Sequence, residues 1–459
     1  MLDSGVAAEL AAGVVPGAAL SAPNELKDYA GPSGRSPKMV LLPGTTAEVA
    51  AVLRIANRER LPIVPRGAGT SDPEPATVEG AVVLCSERLN RILALDAANL
   101  TAAVEPGVRL GEFQLAMERR GFFFPPDPLN LEVATLGGAT AVDARGPRQL
   151  KYGSLKDHVL GLEVVLADGT VLRTGANTVK SASGYDLTHL FVGSRGTLCF
   201  LTRIVVRLLP LPAARRTLAF TFDGLEAAAG AAASIIAAKV LPARLEVLDR
   251  FAVARLADAC PGSCLGEAGA ALLCELDGSI SGVARQAEMV AGIAGEGGAS
   301  EADLAPAAGE ALWAGQRGLR ADFARGRAAL GELAVPRGHL EGLLRAIEVL
   351  RAQHGVRVGL AARPGAGTLV FALPAEPRGT EETARLASFR RAVAEAAYGP
   401  GPAAGRPRSE VAQDLVCGLK AAYDPCGILN PGLRFPQVTG AAPAAATDIA
   451  SKGEPVDGR

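Results

Sequence analysis

The spacing of apolar positions changes period twice between residues 40 and 70. Val40–Leu42 is a short apolar run, Val49, Val52, Leu53 and Ala56 recur at helical spacing, and Leu61–Val64 is again a continuous apolar run. Thr45 stands three residues before Glu48, the spacing of a capping box, so a helix is predicted to start there with Glu48 reaching back. The segment therefore reads as strand, helix, strand, and then a tight loop at Arg66-Gly67-Ala68-Gly69. Val82–Cys85 and Ala102–Val104 read as further strands. Val108–Arg120 reads as a helix with Leu110, Phe113 and Met117 on one face. Leu162–Leu166 and Val171–Arg173 flank Asp168-Gly169, which predicts a hairpin. Phe200–Leu209 is a strand closed by Leu209-Pro210-Leu211-Pro212, a proline pair that marks a domain boundary.

Beyond Pro212 the pattern alternates apolar runs (Leu218–Phe222, Leu245–Leu248, Ala271–Leu276) with alanine-rich helical stretches. A strand at Leu333–Val335, a helix from His339 to about His354, and strands at Val356–Leu360 and Thr368–Leu373 follow. This predicts an α+β unit with an antiparallel sheet and helices on one side. Residues 399–408 read as a Gly/Pro/Ala/Arg linker, Ser409–Tyr423 as one more helix, and Asp424–Pro431 as a turn-rich end. From 437 onward the chain is of low complexity and is expected to be disordered. The expected division is 1–212, 213–405, a C-terminal return over 406–436, and a tail over 437–459.

Composition narrows the function classes. The 459 residues carry 47 basic and 48 acidic side chains, which excludes a generic basic nucleic-acid surface. Apolar residues make up 49%, so the chain can bury a large core, and 54 Gly with 31 Pro make it rich in turns. Uncharged runs such as Ala11–Asn24 and Ala227–Ala238 are shorter than the ~18 apolar residues of a membrane span. The acidic start reads as no leader. Seven scattered cysteines without a CxxC suit a reducing compartment and no metal cluster held by this chain alone. The expected location is the cytoplasm, with any membrane contact made through a partner.

Three glycine blocks carry the candidate chemistry: Pro65-Arg66-Gly67-Ala68-Gly69-Thr70, Ala134-Thr135-Leu136-Gly137-Gly138-Ala139, and Gly193-Ser194-Arg195-Gly196-Thr197-Leu198. Without a Cβ, glycine lets backbone N–H groups converge on an anion. Any one block alone is more often a plain turn. None fits GxxxxGK[ST], and none is a GxGxxG opening a helix, which disfavours a P-loop and a Rossmann site.

Taken in order, and together with Val104-Glu105-Pro106-Gly107, Phe124-Pro125-Pro126-Asp127-Pro128, Leu162-Glu163-Val164-Val165 and Asp424-Pro425-Cys426-Gly427-Ile428-Leu429-Asn430-Pro431-Gly432, these blocks resemble the FAD-linked oxidoreductases of vanillyl-alcohol oxidase type. Within them the likeness is to the flavoprotein subunits of glycolate oxidase and D-lactate dehydrogenase. The resemblance implies a PCMH-type FAD-binding domain of two subdomains and an α+β cap. It implies FAD contacts at Pro65, Arg66, Gly67, Ala68, Gly69 and Thr70 (the pyrophosphate loop), at Pro126, Asp127, Thr135, Leu136, Gly137 and Gly138, at Gly146, Lys151, Tyr152, Gly153, Gly196, Thr197 and Leu198, at Glu163, Val164 and Val165 beside the adenine, and at Asn430. It also implies oxidation of a small 2-hydroxy acid, with electrons leaving to an iron–sulfur or second flavoprotein partner.

The departures are equally specific. After Thr70 come Ser71-Asp72-Pro73-Glu74-Pro75, whose two carboxylates are unhelpful near a diphosphate. The family's metal site uses an H-x-x-D-G-N-x-H segment and a G-E-H-G segment. Here Arg363 and Val370 stand at the histidine positions, and the second segment falls near Tyr398-Gly399-Pro400-Gly401-Pro402, so no metal is expected. Arg317, Arg337 and Arg363 are the candidates for holding a substrate carboxylate, against a plain reading as solvated arginines. Loss of the metal leaves open a subunit that binds flavin but relays electrons or serves as structure, and a flavin-free scaffold.

Overall fold

The computed structural model describes residues 3–29, 36–70, 80–176, 184–260, 265–266, 268–304, 306–325, 331–372, 379–398 and 410–433. The linker at 399–408, the tail from 437, the carboxylates of 71–75, and residues 399–402 lie outside them.

The chain opens with α1 (Ser4–Ala12), β1 (Ala19–Leu20), α2 (Pro23–Leu26) and β2 (Met39–Leu41), then α3 (Thr46–Arg58), β3 (Ile63–Arg66) and β4 (Val82–Cys85). The first sheet has the order β1-β2-β4-β3, with β2 and β3 parallel to β4. Thr45 caps α3 as expected, accepting from the Glu48 amide at 3.2 Å, but the Glu48 carboxylate reaches the Gly44 amide, one residue further back. The face of α3 carrying Val49, Val52 and Leu53 is fully buried on this sheet.

The second sheet holds β5 (Ile92–Asp96), β6 (Thr101–Val104), β8 (Val159–Val165), β9 (Val171–Gly175) and β10 (Phe200–Arg207), antiparallel in the order β5-β6-β10-β8-β9. Helices α4 (Leu110–Glu118) and α5 (Leu136–Ala141) belong to the same unit, as do the short α6 (Gln149–Tyr152) and α7 (Leu187–Phe191). Leu110, Phe113, Met117 and Leu136 pack with the sheet residues Val104, Leu162 and Ile204 in one core. The β8–β9 hairpin turns at Gly169 (φ +81°), where Asp168 Oδ1 accepts the Thr170 amide at 2.8 Å. β7 (Phe122–Phe123) pairs with β11 (Leu209–Pro210) just before the chain leaves this unit.

The rest forms one antiparallel sheet of seven strands: β12 (Ala214–Phe222), β13 (Arg244–Asp249), β14 (Ala270–Gly278), β15 (Ser300–Leu304), β16 (Gly331–Ala334), β17 (Gly359–Arg363) and β18 (Thr368–Ala372). Their order is β15-β12-β14-β13-β17-β18-β16. The fold is α+β. The helices are not on one side, as the sequence suggested. α8 (Leu225–Ala237), α10 (Ile280–Glu296), α12 (Arg337–His354) and α13 (Thr380–Tyr398) cover the face carrying Leu218, Phe220, Val247 and Leu272. α9 (Arg250–Ala259) and α11 (Pro306–Arg325) cover part of the other, where Ala219, Leu248 and Leu273 meet Leu312 and Trp313. Continuous apolar runs in β12 and β14 are what a strand buried on both faces requires. β5 and β15 were not legible, because Ile92-Leu93-Ala94 is largely exposed and Ser300–Leu304 mixes acidic with small residues. Val356, expected in a strand, instead closes α12 after Gly355 (φ +60°), its amide donating to the Arg351 carbonyl at 3.2 Å. The last helix, α14 (Glu410–Tyr423), precedes a segment that returns to the first sheet, where Ile63 and Leu429 form a parallel bridge.

Candidate active site

The three glycine blocks, far apart in sequence, meet around one cavity of about 420 Å³. β3 ends in the loop Arg66–Thr70, α5 begins at Thr135, and the turn Ser194–Gly196 leads towards β10; all three line it. Among the expected cofactor contacts, Pro65, Arg66, Gly67, Ala68, Gly69, Thr70, Thr135, Gly137, Gly138, Gly196 and Asn430 stand in the lining. Pro106, Ser194 and Arg195, quoted above only within their motifs, line it as well, and Tyr29 and Asn130 join them without having been singled out. Arg66 lies over the Tyr29 ring at 4.9 Å. Asn130 donates to Thr70 Oγ1 at 2.7 Å, tying the loop to the opposite wall.

The walls are as close as backbones allow. A Cβ on Gly67 would lie 2.3 Å from Thr135 Oγ1, and one on Gly137 would lie 2.4 Å from the Pro106 side chain. Among the described residues no group accepts from the amides of Gly67, Ala68 and Gly69. Arg66 Nε and Asn430 Oδ1 are buried without a hydrogen-bond partner. A long, mostly apolar cleft with unsatisfied backbone donors and a few polar side chains fits an extended dinucleotide with a diphosphate.

The remaining expected contacts lie elsewhere. Leu136, Val164 and Leu198 are core residues of the second sheet's unit, and Val165 of the first's. Thr197 Oγ1 donates to the Ser194 carbonyl. Glu163 is nearly buried and accepts from Thr46 at 2.8 Å, Arg173 at 2.8 Å and Thr202 at 3.0 Å. Burial alone would raise its pKa, but these donors outweigh it and hold the carboxyl below the usual range.

Pro126, Asp127, Gly146, Lys151, Tyr152 and Gly153 belong to the seam with the cap. Gln114 donates to the Pro126 carbonyl at 2.6 Å. Gly153 ends α6 at φ +81°. Gly146 is crossed so closely by Asp127 that a Cβ would lie 2.2 Å from the Asp127 carbonyl. Asp127 is buried, accepting from the Arg148 amide at 3.0 Å and from Arg244 Nε at 2.9 Å. Lys151 and Tyr152 both reach Asp277 across the seam, the tyrosine hydroxyl at 2.7 Å. Burial, then the Asp277 bond, pushes that phenol's pKa up, so it stays protonated.

On the cap side the partners form a polar stripe on one face of the sheet: Thr217 (β12), Arg244 and Glu246 (β13), Glu275 and Asp277 (β14), Arg363 (β17) and Thr368 (β18), all buried. The register sets Arg244 opposite Glu275 and Arg363 opposite Thr368. Arg244 donates to Glu275 at 3.0 Å and lies over Trp313 at 5.0 Å. Arg148 stands 3.5 Å from Glu275. Arg363 donates to Glu246 at 3.1 Å, and Gln316 also donates to that carboxylate. Burial pushes the Glu246 pKa up against the pull of Arg363. Among the described residues, Glu275 Oε1, Gln316 Oε1 and Thr368 Oγ1 have no hydrogen-bond partner. Of the other arginines, Arg317 meets Glu132 at 3.1 Å, two residues from Asn130 of the cavity wall. Arg337 opens α12, whose buried residues cover the opposite face of the sheet. Among the described residues no three His, Cys, Asp or Glu side chains converge as metal ligands. Arg363, which the resemblance sets at a histidine position of the family's metal site, is ion-paired to Glu246.

The stripe left a faint sequence signal. Over Arg244-Leu245-Glu246-Val247 polar residues alternate with apolar ones, which reads as a solvated face unless another unit covers it.

A two-subdomain unit with a dinucleotide cleft, joined to a sheet-based cap over a charged seam, defines a flavin-dependent oxidoreductase. Residues 37–175 match the FAD binding domain and residues 211–401 the C-terminal domain of FAD linked oxidases. Glycolate oxidase subunit GlcD of Bacillus subtilis is 36% identical over 418 residues, covering 87% of this chain and 89% of the relative. D-lactate dehydrogenase of Archaeoglobus fulgidus is 41% identical over 217 residues, 47% of this chain and 48% of the relative. In fold the chain resembles 4-ethylphenol oxidase from Gulosibacter chungangensis (TM-score 0.74, 19% identity, 93% of this chain and 96% of that one). The chain belongs to the FAD-linked oxidoreductases of vanillyl-alcohol oxidase type, in the branch of glycolate oxidase and D-lactate dehydrogenase flavoproteins, and its cofactor is FAD.

Proposed function

We propose that this chain oxidises a small 2-hydroxy acid, with FAD held by Gly67–Thr70, Thr135–Gly138, Ser194–Gly196 and Asn430. The observation that supports this best is the junction of the cavity with the charged seam: Asn130 and Ala144 line the cavity, and Asp127 and Arg148 lie three and four residues away in the chain. FAD supplies a two-electron acceptor for the hydride from the substrate's α-carbon. Arg317 is the best-placed partner for the substrate carboxylate, because Glu132, its present partner, is exposed and easily displaced. Glu275, whose Oε1 accepts no hydrogen bond from the described residues but has Arg148 Nε 3.5 Å away, serves as acceptor for the hydroxyl proton. Electrons then pass to a partner, an iron–sulfur protein or second flavoprotein, in keeping with a relative that is itself a subunit. Among the described residues no helix is long and apolar enough to cross a membrane, and we place the reaction in the cytoplasm, with any membrane contact made through that partner.

A second reading, a flavin-binding subunit that relays electrons without turnover, is favoured by one observation. The guanidinium groups of Arg148, Arg244 and Arg363 are already matched by Asp127, Glu246 and Glu275. Anaerobic titration with D-lactate and glycolate separates the two. Bleaching of the oxidised flavin absorption by either acid supports turnover. A flavin that stays oxidised with both, yet is reduced by a chemical donor, supports the relay.

A further inference from the structure

Two residues of the cavity wall hold a left-handed backbone without being glycine: Arg195 (φ +55°) and Asn430 (φ +46°). Such conformations are strained for a residue with a side chain and persist only where surroundings over-determine them. The two are stitched together, since Asn430 Nδ2 donates to the Arg195 carbonyl at 2.9 Å. Lys420, on the last turn of α14, stands behind that stitch. Its ammonium donates to the Thr197 carbonyl at 2.7 Å, two residues from Arg195, and to the Leu429 carbonyl at 2.8 Å, next to Asn430. Its third donor goes to Asp424, which itself accepts the amides of Ile428 at 3.0 Å and Leu429 at 2.8 Å. All three hydrogens of one ammonium are thus used, one on the turn Ser194–Thr197 and two on the return segment, both of which reach the cavity. The return segment is also laddered to β3, with Ile63 donating to Ile428 and Asn430 donating to Ile63.

We infer that Lys420 is a positioning residue for FAD. It holds the Ser194–Thr197 turn and the Ile428–Asn430 return at a fixed separation, so that Asn430 Oδ1, buried and unpartnered, faces the cofactor. Lys420 does not line the cavity and touches FAD only through these two segments. The inference depends on the cavity being the FAD site and not on the substrate, so failure of the acid titration leaves it standing.

The test uses the full chain, stripped of FAD and reconstituted, with Kd and release rate read from flavin fluorescence. Lys420→Met is expected to weaken FAD at least tenfold, mainly through faster release. Lys420→Arg, which keeps the charge but cannot fit the tripod, recovers only part of this. Hydrogen–deuterium exchange in the apoprotein is expected to rise at 194–201 and 424–433 while α3 and the cap stay protected; a merely structural role would raise exchange throughout. Asn430→Ala combined with Lys420→Met is expected to lose less affinity for FAD than the two single losses multiplied together, because Asn430 is part of one of the two segments that Lys420 sets. Wild-type FAD affinity in Lys420→Met, or fully additive losses in the double variant, overturns the inference. Should Lys420→Met not fold, Lys420→Gln with the same readouts decides it.

Discussion

At the scale of single residues, the cavity depends on side chains that are missing. Gly67 lets the β3 loop pass against Thr135 and Gly138, and a methyl group there would require Thr135 Oγ1, 2.3 Å away, to move. That hydroxyl also caps α5, accepting the Gly138 amide at 3.2 Å. Gly67→Ala is therefore expected to weaken FAD binding by a factor of ten or more while leaving the cap untouched. Fluorescence titration of the apoprotein, with the thermal transition as control, checks this. A variant that binds FAD as tightly as the parent would show that the close approach has no bearing on the cofactor. The loop itself was legible as a glycine block after a strand. Asn130 of its opposite wall was not, because nothing local in that residue says what it will face.

Between elements, Glu163 shows how one buried carboxylate joins three pieces of structure. It receives Thr46 from the first turn of α3, Thr202 from β10 and Arg173 from β9. The family resemblance set it beside the adenine, whereas here it couples the two subdomains. Its folded pKa lies below the unfolded value, so the stability it contributes is present above the ordinary glutamate pKa and is lost as pH falls through the folded one. Arg173 is largely exposed and adds little, leaving the two hydroxyls as the main partners. Glu163→Gln is expected to cost about 1–3 kcal/mol at pH 7. The difference from the parent should shrink below pH 4, measured by denaturant unfolding at both pH values; a pH-independent difference would assign the loss to packing.

Over the whole molecule, the seam decides how the two halves work together. Asp127, Arg148, Lys151 and Tyr152 from the flavin unit meet Arg244, Glu275 and Asp277 from the cap, nearly all of them out of water. Removing one partner from such a cluster leaves an uncompensated buried charge, at a cost of about 3–5 kcal/mol. Asp127→Asn is expected to destabilise by roughly that amount and to separate unfolding of the cap from that of the flavin unit, seen as two calorimetric transitions where the parent shows one. A single, unshifted transition would mean the halves are held by other contacts.

The sequence by itself determined many of the elements, and its resemblance to a known family implied the cofactor. Capping at Thr45, the Asp-Gly hairpin and the apolar runs of the cap strands are local signals, and the three glycine blocks in fixed order carry the family resemblance that implies a dinucleotide cofactor. The tertiary structure alone decided which side of each strand meets which unit. Alternating charge in β13 has the same period whether the polar face meets water or another domain, so the burial of Arg244 and Glu246 could not be read from it. The same holds for Lys420. A lysine late in an exposed helix is ordinary by every local rule, and only the return of the chain to β3 places two carbonyls and a carboxylate around it.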